Sequence, residues 1–264
     1  SIQQVEQFSI EDTVYTSYKR AFQEDKKRFF ARLKEEENWR VFALVLYIRM
    51  AVEVYETFQE KGIADQVYFD TFSDFRIWNE ECKKKYGICG LTECEWLSLP
   101  LELKIFRLGR LQFEPIRLEK AIETEKYTLP EGTKVLNVHI PEDGRLDIET
   151  CMDAFERAEN FFQETFEAFV CESWLVSPKL KELLGEDSNI IKFMGLFENY
   201  GIVLAVGSGN AYESGDEETE NLRSLAAVRK AIAENEKTIT LSVGQLTTGV
   251  TIPEWTGVIM LCNM

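Results

Sequence analysis

Phe106-Arg107-Leu108-Gly109-Arg110-Leu111-Gln112-Phe113-Glu114 partly alternates apolar with polar residues, and Lys134-Val135-Leu136-Asn137-Val138-His139-Ile140-Pro141 is rich in branched side chains. Successive side chains of a strand point to opposite faces, and branched residues pack well on a pleated surface, so both stretches are expected as strands. Thr128-Leu129-Pro130-Glu131-Gly132 is the expected turn into the second. These two stretches decide the fold, because the residues before them read as helix and those after them as strands alternating with helices.

Upstream, Tyr15, Tyr18, Phe22, Phe29 and Leu33 place one aromatic stripe on a helix face. A second helix is expected over residues 38–60, stopped by Lys61-Gly62, and a third over 64–85, with Val67, Phe72, Phe75 and Trp78 in its core face. Downstream, a helix is expected from about Asp147 to Phe166, capped by Asp147 or Asp143 and buried through Met152, Phe155, Ala158, Phe162 and Phe166. Strand is expected over 168–176, helix over 178–184 and again from Ser188-Asn189 through Phe197. Further strands are expected at 200–206, 238–243 and 258–262, with a helix over 222–234. The order predicts an α+β (mixed α/β) architecture with three parts: a helical domain over 1–100, a sheet domain over 101–199, and an α/β segment over 200–264.

The 264 residues carry a formal charge of -16 and a single histidine. Phosphate backbones are bound by clustered Lys and Arg, so this balance argues against a nucleic-acid partner. The most apolar stretch, residues 41–58, contains Arg49, Glu53 and Glu56 and is expected as a buried helix, with no membrane partner. The six cysteines lack the paired spacing of a small secreted scaffold, and no basic, apolar leader opens the sequence, so free thiols in a cytoplasmic protein are expected. Cys82, Cys89 and Cys94 have no nearby histidine to complete a zinc set, and no Gly-x-x-x-x-Gly-Lys-Ser/Thr loop occurs to cradle ATP. Neither metal nor ATP is expected.

The segments 107–114, Val138-His139-Ile140-Pro141 with Gly144 and Leu146, Cys171-Glu172-Ser173-Trp174-Leu175, and Ser188-Asn189-Ile190 with Phe193 together resemble a bacterial family of GNAT-like acyltransferases. That resemblance covers about residues 35–197. It implies a helical N-terminal domain ahead of a GNAT-like domain, acyl-CoA (acetyl-CoA) as co-substrate, and an amine or other small-molecule acceptor. It places the CoA pyrophosphate at the strand-loop-helix junction, with Ile140, Gly144, Arg145 and Leu146 as cofactor-binding residues. Helix N-termini present N–H donors and a partial positive charge there. Glu142, Asp143 and Asp147 oppose an anion unless they point away, and the usual Gln/Arg-x-x-Gly-x-Gly/Ala signature is missing.

His139, Glu172 and Ser173 are the candidate catalytic residues. A group titrating near neutrality can take the proton of an attacking amine, and His139 lies at the strand end where such a base is needed. The competing reading is that His139 only holds the strand end, favoured because no carboxylate partner can be predicted for it. Glu172 and Ser173 alternate along an expected strand, so one of them faces the cleft. Cys171 reads as a small buried residue before it reads as a nucleophile. Arg107 and Arg110 either pair with Glu114 and Glu102, the favoured reading, or bind an anionic ligand.

Leu246-Thr247-Thr248-Gly249-Val250-Thr251-Ile252-Pro253-Glu254-Trp255 resembles motif V of a superfamily 2 helicase. Without the ATP-binding motifs, and with the chain ending at Met264, that resemblance implies ancestry for the last segment and no motor activity. The segment is expected as a fusion or frameshift join that supplies strands to the acyltransferase sheet or stands as a tethered unit. Two functions remain open: an acyl-CoA-dependent N-acyltransferase, or a non-catalytic interaction protein that keeps the fold.

Overall fold

A computed structural model describes residues 9–123, 128–176 and 180–197. The chain divides at Arg107 and Leu108 into two compact units. The first is helical: α1 (Asp12–Glu24), α2 (Lys26–Glu35), α3 (Trp39–Glu60), α4 (Asp65–Phe72), α5 (Asp74–Tyr86) and α6 (Cys94–Leu101). The aromatic stripe expected on one helix is carried by two. Asp25 leaves the helical conformation and caps α2, its Oδ1 accepting from the Arg28 N–H at 2.9 Å. The stripe survives the break: Phe29 of α2 meets Tyr18 and Phe22 of α1 with ring centroids 6.0 and 5.1 Å apart.

The central helix α3 buries Phe42, Leu46, Tyr47 and Met50. Tyr47, fully buried, donates its O–H to the Cys94 carbonyl at 2.8 Å, the partner a buried phenol requires. Burial pushes the Tyr47 phenol well above its ordinary pKa and the Cys94 thiol up to about 12. The single helix expected over 64–85 is divided at Ser73, whose hydroxyl donates to the Asp70 carbonyl at 2.6 Å.

The second unit holds a mixed sheet in the order β1-β2-β5-β6, formed by β1 (Phe106–Leu108), β2 (Leu111–Arg117), β5 (Lys134–His139) and β6 (Phe169–Val170). A small hairpin, β3 (Ile122–Glu123) with β4 (Thr128–Leu129), lies between β2 and β5 in sequence. β2 and β5 run antiparallel with Gln112 opposite His139 and Glu114 opposite Asn137; β5 and β6 run parallel with Asn137 opposite Val170. Helix α7 (Ile148–Phe161) packs on one face, where Phe113, Phe155 and Phe169 form a ring cluster with centroids 4.8 to 5.8 Å apart. The expected α+β class is therefore observed.

Four local expectations are corrected. The single strand expected over 106–114 is two, β1 and β2, separated by a turn at Gly109 and Arg110 where Gly109 takes φ 80°. α7 buries Cys151, Ala154 and Ala158, while Met152 is exposed, because small residues let the helix lie close to the sheet. The strand expected over 168–176 is only Phe169–Val170, followed by a short 3-10 turn at Trp174–Val176. The last helices among the described residues are α8 (Leu180–Leu183) and α9 (Asn189–Met194), so the second stops before Phe197. The strands and helix expected beyond residue 197, and their pairing with the sheet, lie outside the described residues.

Among the described residues, no helix is long and apolar enough to cross a membrane.

Candidate active site

Strand alternation gives the sheet two unlike faces. Phe113, Leu136 and Val138, all buried, share the face of α7. The β2–β5 register puts Gln112, Glu114, Asn137 and His139 together on the other. His139 Nε2 lies 3.0 Å from Glu114 Oε2, its diagonal neighbour across the strands, and 3.1 Å from Asn137 Nδ2. A proton on Nε2 is accepted by the Glu114 carboxylate, and by Asn137 only if its amide turns to present Oδ1. That tautomer leaves Nδ1 as the basic nitrogen, and an imidazolium makes a charge-assisted bond to Glu114.

The carboxylate orienter of His139 is the residue that sequence reasoning missed, since it assigned Glu114 to an arginine. In the structure Glu114 meets His139, while Glu102 pairs with Lys26 and with Lys104 at 3.3 Å. Arg107 donates to Ser73 Oγ at 3.1 Å, and Arg110 turns to the loop after β5.

β6 ends at Val170, but β5 runs two residues beyond the Asn137 pairing, so the strands part just where His139 stands. The Leu136 N–H bonds the Ala168 carbonyl on the β6 side at 3.0 Å. Alternation carried forward directs the Val138 carbonyl and the Ile140 N–H to that same side, into the parting.

Glu172 follows the end of β6. The residue is exposed, yet desolvation by its surroundings raises its carboxyl from the ordinary value, with the charge of His139 pulling against that rise. It is therefore the second carboxyl within electrostatic reach of the imidazole. Ser173 is drawn into the backbone: its Oγ accepts from the Leu175 N–H at 3.2 Å, at the start of the 3-10 turn. Desolvation lifts the Cys171 thiol to about 12, which keeps it a poor nucleophile at neutral pH, although the residue is half-buried and not the fully buried one expected.

The loop between β5 and α7 holds the other expected residues. Gly144 adopts φ 87°, a left-handed turn that favours glycine, and Leu146 is buried at the end of the loop. The Arg145 side chain is exposed, while its carbonyl faces Arg110. Asp147 caps α7, its Oδ1 accepting from the Glu149 and Thr150 N–H groups at 3.1 and 3.3 Å. An anion at this junction fits the loop amides better than the first turn of α7, because the Asp147 carboxylate already occupies donors there.

Residues 1–103 match a family described as the N-acyltransferase N-terminal domain, and residues 105–240, more than half the chain, match the GNAT-like C-terminal domain. The second match continues past Phe197, where the resemblance read in the sequence stopped. The helicase-like run at 246–255 lies beyond both ranges and outside the described residues, and the comparisons lend it no support. Among solved structures, an acyltransferase in complex with decanoyl-CoA and teicoplanin is similar, with 25% identity and a TM-score of 0.57 over 73% of this chain and 63% of its own. Another, with CoA and 10C-teicoplanin, has 25% identity and a TM-score of 0.53 over 67% of this chain and 52% of its own. This chain thus spans less than two thirds of those proteins. No curated protein sequence matches it. With both of its described units matched in the order helical domain, then GNAT-like sheet, the chain belongs to the N-acyltransferase family with a GNAT-like C-terminal domain.

Proposed function

We propose that this protein transfers an acyl group from an acyl-CoA to an amine, with His139 as general base. The observation that carries the proposal is the 3.0 Å contact of His139 Nε2 with Glu114 Oε2 at the point where β5 and β6 part. Acyl-CoA supplies an activated thioester carbonyl. The chain's part is to receive it in the parting, point the Ile140 N–H at the carbonyl oxygen, and take the proton released as the amine nitrogen bonds to carbon and the carbon–sulfur bond breaks. Glu114 holds the imidazole in one tautomer and takes the charge-assisted bond once it is protonated. Glu172, with its raised carboxyl, is the group assigned to return a proton to the departing thiolate or receive one from the imidazole. The loop 140–146 holds the phosphates, and Arg145 is the cation within it. Medium-chain donors are the first to try, since related solved acyltransferases were captured with decanoyl-CoA, and the teicoplanin in one of them makes a large polar acceptor the first class to screen.

The capping of α7 by Asp147 favours a second reading, a fold that no longer binds CoA. Thiol release from decanoyl-CoA, followed colorimetrically with and without a pool of amines, separates the two. Amine-dependent release above the background is expected; release no faster than without protein, across the amine pool, supports the non-catalytic reading.

A further inference from the structure

Arg110 stands at the turn between β1 and β2, immediately after Gly109, whose φ of 80° makes the reversal. Its guanidinium crosses to the loop after β5. Nε donates to the Arg145 carbonyl at 2.8 Å, and one terminal nitrogen donates to the Pro141 and Gly144 carbonyls, each at 3.0 Å. One side chain therefore gathers three carbonyls from both ends of a short loop. Its charge also reaches Cys151 in the first turn of α7, pulling that thiol down against the burial that lifts it to about 11.

Peptide units are planar, and in the trans form the C=O and the following N–H point in opposite directions. Drawing the carbonyls of Gly144 and Arg145 toward Arg110 turns the N–H groups of Arg145 and Leu146 away from it. Two donors are so presented on the far side of the loop. Because Asp147 takes N–H groups of the first turn of α7, these loop donors matter more here than they would beside an uncapped helix. Lysine is a poor substitute at this position. Its ammonium is a point charge on a flexible stem, whereas the guanidinium fork meets separate carbonyls from fixed directions.

We infer that Arg110 is the positioning residue of the phosphate-binding loop, holding its carbonyls inward so that its amides face the CoA phosphates. The inference rests on the acyl-CoA reading above. Arg110 touches neither substrate nor reacting atoms; it acts through the backbone of residues 141–146.

The test is calorimetric titration of the full chain, unaltered and as Arg110→Lys, with decanoyl-CoA and with S-decanoylpantetheine, which carries the same thioester and no phosphate. Arg110→Lys is expected to weaken decanoyl-CoA binding about tenfold, as the loss of charge-assisted bonds allows, and to leave S-decanoylpantetheine binding unchanged. Gly144→Ala is the second variant. Its added Cβ meets nothing within 4 Å, so it disturbs the loop backbone alone through the strained φ, and it should show the same selectivity. Amide exchange adds an independent readout: decanoyl-CoA should protect residues 142–146 in the unaltered chain and less so in Arg110→Lys. Equal decanoyl-CoA affinity in the unaltered and Arg110→Lys chains overturns this inference alone. Equal weakening toward both ligands also overturns it, since a general loosening does not distinguish phosphates. An unaltered chain that binds neither ligand overturns the acyl-CoA reading and this inference with it.

Discussion

Replacing His139 with glutamine is expected to lower acyl transfer by about 10²- to 10⁴-fold, the usual contribution of a positioned general base. Glutamine keeps an N–H where Nε2 faces Glu114 Oε2, 3.0 Å away in the native site, so folding should be retained and only the base removed. Glu114→Gln should cost less, about tenfold, because it keeps an acceptor beside the imidazole and forfeits only the ionic part of the bond. Steady-state rates of thiol release, measured beside a melting curve for each variant, check both. Unchanged turnover in His139→Gln would make His139 a strand-end residue, the reading that sequence considerations favour.

Phe113→Ala carries the largest expected loss of stability, about 3–5 kcal/mol. Phe113 is fully buried, and its ring meets Phe155 of α7 and Phe169 of β6, each at 5.8 Å between centroids. It thus joins β2 to the helix and to β6, and its removal leaves a void that its two aromatic neighbours cannot fill without moving. Urea denaturation followed by circular dichroism reads the effect. A midpoint close to that of the unaltered chain would show that the cluster is less important to the sheet than its packing implies.

The strands and the helix around the site were legible in the sequence because their signals are local. Branched residues mark 134–139 and Asp147 announces α7, but the one strand expected over 106–114 is two, because the turn at Gly109 and Arg110 does not interrupt the alternation of residue types. The breaks at Asp25 and Ser73 were not legible, because residues on both sides of each break face one core and keep their apolar spacing. Helix α6 was missed for a different reason: eight residues containing Ser98 and Pro100 give too little periodicity to read. On α7 the expected Ala158 and Phe155 do face the sheet, but Met152 was preferred to Cys151 and Ala154 because large apolar residues weigh more in a pattern, while close packing on a sheet selects small ones.

At the proposed site, His139 and Glu172 stand out in the sequence because their residue types suit the chemistry. The carboxylate beside His139 does not. Glu114 lies 25 positions before His139, and only the register that sets Gln112 opposite His139 brings it close. Arg110 was read as an ion-pairing residue because charge is visible in a sequence, whereas backbone carbonyls are not. Its bonds to Pro141, Gly144 and Arg145 depend on a hairpin turn meeting a loop more than 30 residues away. Ser173 was placed on a strand that ends three residues before it, and its hydroxyl caps a turn instead.

The central claim is that the parting of β5 and β6, with the loop 140–146 beyond it, receives an acyl-CoA. Melting of the full chain with and without CoA tests it most directly, because a ligand that binds only the folded state raises the midpoint. At a concentration 100 times its dissociation constant, CoA should add about 2.7 kcal/mol, which shifts the midpoint upward by several degrees in a chain of this size, roughly 2–4 °C for each kcal/mol. A midpoint that does not move at millimolar CoA would contradict the account.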